Sequence, residues 1–209
     1  MHEDTIINNE IHINGKITSE FTFSHEIYGE GFFNFFVEVK RLSADVDVLP
    51  ITISERLINM EKLPIGTNVQ ILGQVRSYNS YVETDKRNRL ILTIFAKDIV
   101  LEEDGQLDYG KNPNEVMLNG YICKQPIFRT TPFGREIADI LLAVNRSYNK
   151  SDYIPCIAWG RNARFVSNLG VGDNIKILGR MQSRIYQKKL ECGDVLEKIA
   201  YEISIGRIE

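Results

Sequence analysis

An internal repeat is the feature that most constrains how this chain of 209 residues can fold. Residues 9–17 (NEIHINGKI) match residues 114–122 (NEVMLNGYI) at an offset of 105. Further along, residues 65–75 (IGTNVQILGQV) match residues 171–181 (VGDNIKILGRM) at an offset of 106. Two landmarks in the same order and at nearly the same spacing indicate two copies of one folding unit.

The repeat predicts two domains of similar size. We expect an N-terminal domain over residues 1–103, a linker over residues 104–113 and a C-terminal domain over residues 114–209. The linker coincides with the sequence EEDGQLDYGKNPN, whose Gly, Asp, Asn and Pro residues favour turns. Each copy has about 100 residues, which is long enough to bury a core of its own.

Each copy shows the same order of predicted elements: three strands, a short helix, a strand that contains a glycine, a polar hairpin arm and a last strand. Five strands in about 95 residues, with one helix between the third and the fourth, is the order of an OB-fold barrel. The predicted fold class is therefore all-β, with two tandem five-stranded OB-fold barrels. A general β-sandwich is the alternative, although sandwiches usually have more strands and lack that helix.

The charge is divided unevenly between the halves. Residues 1–111 carry a net charge of −7 and residues 112–209 carry +4, which together give −3 for the whole chain. A polyanionic partner is therefore expected to bind the second half.

Several classes of protein are disfavoured by the sequence. There is no apolar run of 18 residues and no secretory signal, so we predict no contact with a membrane. The three cysteines are far apart and form no CxxC, which indicates a reducing, cytoplasmic setting. There is no P-loop, no GxSxG and no cluster at metal-ligand spacing. We therefore predict no enzyme, no catalytic residues, no metal site and no cofactor.

The only tryptophan, Trp159, ends an apolar strand whose two faces cannot be told apart from that copy alone. The first copy resolves this, since Leu49, Ile51 and Ile53 remain apolar there. The face that is apolar in both copies is the one that a barrel buries. This places Ile154, Cys156 and Ala158 in the core, so Trp159 points outward.

Other aromatic residues of the second copy also lack an aromatic counterpart. Ser54 replaces Trp159 in the first copy, and replacing a packed tryptophan by serine in a core would cost roughly 3–5 kcal/mol. Core aromatics are expected to match, as Phe95 does with Tyr201. The unmatched aromatics therefore indicate an outward surface that the fold does not require: Tyr148, Tyr153, Trp159 and Tyr186.

Arginine and lysine residues alternate with these aromatics, among them Arg146 and Lys188. Unpaired bases stack on exposed aromatic side chains with about 1–3 kcal/mol per base, and basic side chains bind the phosphates. This pattern favours single-stranded nucleic acid. The alternative is a protein–protein contact, because tyrosine, tryptophan and arginine are also enriched at interfaces.

Residues 112–209 resemble the bacterial single-stranded DNA-binding protein (SSB) family. Five segments occur in the family's order and at a similar spacing: NEVMLNGYI, RTTPFG, LLAVNRSY, IPCIAWGRNAR and VGDNIKILGRMQSRIY. The resemblance implies base stacking on Tyr148, Tyr153, Trp159 and Tyr186, and backbone contacts at Arg161 and Arg184. With the neighbouring basic residues, the complete predicted site is Arg146, Tyr148, Tyr153, Trp159, Arg161, Arg184, Tyr186 and Lys188.

The resemblance also implies a function: sequence-tolerant binding of single-stranded DNA in replication, repair and recombination. Family members assemble four OB barrels, so this chain is expected to form a homodimer, near the nucleoid, in contact with replication or repair proteins. The family's flexible tail with its acidic tip is not expected here, since the sequence ends in YEISIGRIE. The first copy reads as a degenerate, acidic barrel. The alternatives are an interaction scaffold or primosome-type accessory protein with weak DNA binding, and binding of RNA.

Overall fold

The computed structural model describes residues 7–41, 43, 45–58, 63–82, 87–101, 112–189 and 195–209. The predicted linker lies outside these ranges, except for its last two residues. The proposed domain boundaries therefore remain predictions. Within the described part of the chain, no helix is long and apolar enough to span a membrane.

The described residues of each half form six strands. The first half consists of β1 (Asn9–Ile17), β2 (Thr22–Ile27), β3 (Glu30–Lys40), β4 (Val46–Ser54), a 3-10 helix (Glu55–Leu57), β5 (Asn68–Val82) and β6 (Arg87–Leu101). The second half consists of β7 (Asn114–Ile122), β8 (Ile127–Thr130), β9 (Glu136–Arg146), β10 (Lys150–Trp159), α1 (Arg161–Val166), β11 (Asn174–Lys189) and β12 (Val195–Ile208).

Five strands close into a ring in each half, as an OB barrel requires. In the first half, β3, β4, β6, β5 and β1 follow one another, and β1 pairs back with β3. In the second half, β9, β10, β12, β11 and β7 do the same, and β7 pairs with β9. Both rings contain a parallel contact, β4 with β6 and β10 with β12. The prediction of two tandem OB barrels is confirmed.

The sixth strand of each half, β2 or β8, was not predicted. Every residue of both strands is exposed, so neither shows the alternation of apolar and polar residues that indicates a half-buried strand. Both strands pair only with the start of the strand that follows them and form a hairpin at the edge of the barrel.

The third predicted strand of each copy has the orientation expected from the repeat. Ile154, Cys156 and Ala158 are at most 3% exposed. Their counterparts Leu49, Ile51 and Ile53 are completely buried. Burial also raises the pKa of the Cys156 thiol, which keeps it protonated and unreactive.

Glycines in the repeated motifs are explained by close contacts between strands. A Cβ added to Gly120 would lie 2.7 Å from the carbonyl oxygen of Ala143, and one added to Gly73 would lie 2.5 Å from that of Phe95. A Cβ added to Gly179 would lie still closer to the carbonyl oxygen of Ser204, beside a bulge in the β11–β12 pairing. The motifs "NG" and "ILG" therefore mark positions where the barrel has no room for a side chain.

The Gly179→Ala variant is expected to lose roughly 1–3 kcal/mol of unfolding free energy, because the methyl group would force β11 and β12 apart. Gly206→Ala is a matched control in the same strand pair, since its Cβ would meet its nearest neighbour at 3.6 Å. Urea unfolding of both variants measures the difference. Equal losses in the two variants would contradict the explanation by close contact.

The two barrels are joined into one twelve-stranded sheet by an antiparallel pairing of β1 with β7. Ile11 lies opposite Val116, which is its own counterpart in the repeat. On either side of this pair, Asn9 lies opposite Leu118 and Ile13 lies opposite Asn114. The barrels are thus related by an approximate two-fold axis through the centre of this pairing.

A buried aspartate of each barrel reaches across to the other. Asp47, in the first barrel, accepts a hydrogen bond of 2.7 Å from the backbone N–H of Ser183 and forms an ion pair of 3.1 Å with Arg180. Asp152, in the second barrel, accepts a hydrogen bond of 2.7 Å from the backbone N–H of Ser77 and forms an ion pair of 3.2 Å with Arg76. Both carboxylates are only 1% exposed.

Each aspartate also binds an arginine of its own barrel. Arg41 donates two hydrogen bonds to Asp47, at 2.7 and 2.8 Å, and Arg146 lies 3.6 Å from Asp152. Burial alone would raise the pKa of Asp47, but the hydrogen bonds from Arg41 and Ser183 and the charges of Arg41 and Arg180 outweigh it. The pKa of Asp47 therefore lies below its ordinary value, and the group stays ionised at neutral pH.

Candidate nucleic-acid interface

Trp159 is the last residue of β10, and its side chain faces outward, as the repeat predicted. It is 38% exposed, so one part of the ring rests on the barrel while the other remains accessible. The indole Nε1–H donates a hydrogen bond of 3.2 Å to the hydroxyl of Ser204 on β12. This bond restricts the orientation of the ring, so little side-chain entropy remains to be lost if a ligand packs on it.

A groove of about 950 Å³ runs along one side of the ring, and we call it the tryptophan groove. Its floor contains Ile137 and Ile157 beside Trp159. The charged residues that line it are five arginines and two carboxylates: Arg41, Arg129, Arg135, Arg180 and Arg184, with Asp45 and Glu202. The groove is therefore positively charged, and through Arg41, Asp45 and Val46 it extends onto the first barrel.

A second hollow, of about 510 Å³, lies on the other side of the tryptophan. Arg161 and Phe165 of α1 line it, together with residues at the end of β12. Arg161 forms no ion pair with another side chain that the structure describes, and Phe165 is 52% exposed. Trp159 thus separates two hollows, each of which offers a cationic side chain.

Three predicted residues lie at the opposite end of β10. Tyr153 is 46% exposed, and its backbone N–H donates a hydrogen bond of 2.7 Å to the Ser77 hydroxyl of the first barrel. Tyr148 projects from the β9–β10 turn and is 94% exposed. Tyr153 is six residues from Trp159, which in a strand corresponds to about 20 Å. The predicted aromatics therefore lie at two separate places along β10.

Arg146, the third of these residues, is bound to Asp152. Its counterpart Arg41 is paired with Asp47, more closely, at 2.7 Å. Because both copies keep this pair, it supports the contact between the barrels, whether or not Arg146 also meets a phosphate.

The remaining predicted residues lie on the arm formed by β11 and β12. Arg184 lines the tryptophan groove and lies 3.6 Å from Glu202, with 56% of its side chain exposed. Tyr186 is half-buried further along the same strand, opposite Lys198. Lys188 follows on β11, but its side chain lies outside the described residues.

Several groove residues escaped the prediction from sequence. Arg129 and Arg135 flank the turn of the β8–β9 hairpin, and Arg129 bonds to Asp139 at 2.9 Å. A signal was present, because RTTPFGR has an arginine at each end of a turn sequence. Arg41 had no such signal, since it reaches the groove only through the contact between the barrels.

The predicted match of Phe95 with Tyr201 is wrong. The parallel pairs Thr52–Phe95 and Ile157–Ser204 show that Phe95 corresponds to Ser204, an offset of 109. The reason is that the second hairpin arm is three residues longer than the first. The first barrel thus has serine on β4 and an aromatic on β6, whereas the second has Trp159 on β10 and serine on β12.

The second barrel is similar in sequence to known proteins. The model of the single-strand binding protein family matches residues 113–209, which is the whole second barrel. Single-stranded DNA-binding protein 1 of Staphylococcus aureus is 39% identical over 83 residues, covering 36% of this chain and 50% of that protein. Single-stranded DNA-binding protein A of Bacillus subtilis is 37% identical over 83 residues, covering 36% and 48%. The chain spans about half the length of these relatives.

A solved structure shows the same arrangement of two barrels. The wild-type single-stranded DNA binding protein from Thermus aquaticus superimposes with a TM-score of 0.71 at 18% sequence identity, covering 96% of this chain and 91% of that one. At this identity the likeness concerns the fold alone. The fold and the groove define a tandem OB-fold protein with a cationic, aromatic surface. The match to the single-strand binding protein family concerns the second barrel, residues 113–209.

Proposed function

We propose that this protein binds single-stranded DNA with little sequence preference and without catalysis. The observation that carries the proposal is Trp159, which is held by Ser204 and lies between the tryptophan groove with its five arginines and a second hollow lined by Arg161. Bases would stack on the exposed part of the indole, and the arginines would bind the phosphates. The family match of the second barrel supports the same conclusion.

The groove suits an unpaired strand better than a duplex. Its aromatic platform can be used only by a base whose face is free, and its cations are placed on both sides of that platform. Tyr153 and Tyr148 would provide a second stacking position further along β10. A strand that follows this route passes the contact between the barrels, where Arg41 of the first barrel lines the groove.

The assembly and cellular role belong to the same proposal. One chain contains two barrels related by an approximate two-fold axis, and a homodimer would give four barrels. We propose that the dimer acts on single-stranded DNA during replication, repair or recombination, in the cytoplasm near the nucleoid. Sedimentation velocity would test this through a species of twice the chain mass.

The salt dependence of binding tests the role of the arginines. Fluorescence anisotropy of labelled oligo-dT should show that the logarithm of the affinity falls linearly with the logarithm of the salt concentration. Arg161→Ala is expected to reduce this slope by about 0.7, the value for one phosphate contact on a single strand.

Lys16→Ala is the control, because Lys16 is exposed on β1 of the first barrel and is not among the residues that line the tryptophan groove or the hollow beside Arg161. It should leave the slope unchanged. An affinity that does not depend on salt would contradict phosphate binding. Tighter binding of oligo-U than of oligo-dT would favour the RNA alternative.

A further inference from the structure

The first barrel has a surface that corresponds position by position to the tryptophan groove. Gly29 and Gly134 have the same left-handed backbone conformation, with φ of 76° in both hairpins, which fixes the alignment there. One residue further on, Glu30 corresponds to Arg135. On the neighbouring strand, Ser54 corresponds to Trp159, and Glu55 corresponds to Gly160.

The charge of this surface is reversed relative to the second barrel. One carboxylate oxygen of Glu30 accepts a hydrogen bond from the Ser54 hydroxyl, and the other lies 3.3 Å from Arg56. Arg56 is the counterpart of Arg161, which has no such partner among the described residues. Glu55 accepts a hydrogen bond of 2.9 Å from the backbone N–H of Gly31. The cation is thus neutralised, and a second negative charge is fixed beside it.

Aromatic side chains are nevertheless present in the first barrel. The rings of Phe32 and Phe95 are 5.7 Å apart, and His25 stacks on Phe32 at 4.9 Å. The guanidinium of Arg76 lies 5.9 Å from the centre of the Phe95 ring. The first barrel therefore keeps an aromatic cluster on this side, although Phe32 is buried and Ser54 stands in place of Trp159, and the charge at its rim is reversed.

We propose that Glu30 and Glu55 determine which barrel accepts single-stranded DNA, by excluding phosphates from the face of the first barrel that corresponds to the tryptophan groove. This inference rests on the proposed DNA binding by the second barrel. The two carboxylates lie where a phosphate on an equivalent path would meet Arg135 and the backbone of Gly160. A carboxylate at that position would repel the phosphate. Arg56 cannot compensate, because its positive charge is already paired with Glu30.

The test is a gain of binding in the variant Glu30→Gln/Glu55→Gln. Both changes keep the shape of the side chain and its ability to form hydrogen bonds, so the local fold should persist. Glu10→Gln/Glu115→Gln is the matched control, since it removes two carboxylates that line a different hollow. Thermal unfolding of both variants verifies that they are folded.

Labelled oligo-dT of two lengths should be compared, about 12 and about 40 nucleotides, because one OB barrel binds roughly 4–16 nucleotides. The longer strand can reach both barrels, so its affinity should rise roughly ten-fold in Glu30→Gln/Glu55→Gln and stay within about two-fold in the control. In the variant Glu30→Arg, which restores the charge found at Arg135, the gain should be larger.

An affinity for the longer strand equal to that of the control would overturn the inference. Failure of the proposed function is a separate result, in which the wild-type protein and Trp159→Ala bind the shorter strand equally. A gain in Glu30→Gln/Glu55→Gln that persists when Trp159 is also replaced by alanine would place the new binding on the first barrel.

Discussion

Trp159→Ala is expected to weaken the binding of short oligo-dT by roughly ten- to one hundred-fold. One stacked base contributes about 1–3 kcal/mol, and the ring that provides the platform would be lost. Trp159→Phe keeps an aromatic face but loses the hydrogen bond to Ser204, so an intermediate affinity is expected. Anisotropy titrations at low salt measure all three proteins.

Tyr28→Ala is the control for this prediction, because Tyr28 is fully exposed in the β2–β3 turn of the first barrel. It should bind like the wild type. The stability of Trp159→Ala should fall by less than the roughly 3–5 kcal/mol of a core aromatic, since the ring is already 38% exposed. A folded Trp159→Ala protein with wild-type affinity would contradict base stacking on Trp159.

Asp47→Ala is expected to lower the unfolding free energy by roughly 3–5 kcal/mol, the cost of removing one partner from a buried ion pair. The change would leave the N–H of Ser183 without its acceptor and would remove the buried carboxylate that Arg41 and Arg180 share. Asp152→Ala should have a similar effect, because Asp152 has the reciprocal role. Urea unfolding measures both variants.

Asp139→Ala is the matched control, since the Arg129–Asp139 pair is exposed and should contribute no more than about 1 kcal/mol. The difference between wild type and Asp47→Ala should also depend on pH. The pKa of Asp47 is depressed in the fold, so its contribution is complete above the unfolded value of about 4 and is lost as pH falls through the folded pKa. Equal losses in Asp47→Ala and Asp139→Ala would show that the barrels are held together elsewhere.

Comparison of the two copies predicted the parts of the fold that each barrel specifies locally. The alternation of Leu49, Ile51 and Ile53 was enough to orient β10 and its tryptophan. The edge strands β2 and β8 were missed because they have no buried face. The contact between the barrels could not be predicted either, since it joins residues such as Asp47 and Ser183 that are 136 positions apart.

The sequence predicted some features of the site and missed others. Trp159 and Arg184 do lie in one groove. Arg146 was chosen for its charge, and only the fold shows that it is bound to Asp152. The alignment of Phe95 with Tyr201 failed because a longer hairpin shifts the last strand by three residues without leaving a mark in the motifs.

The intrinsic fluorescence of Trp159 provides the most direct measurement of the central claim, because the chain contains no other tryptophan. Titration with oligo-dT at low salt should quench the emission to a saturating level, and added salt should restore it. Unchanged emission in folded protein at saturating oligo-dT would contradict stacking on Trp159 and favour the interaction scaffold.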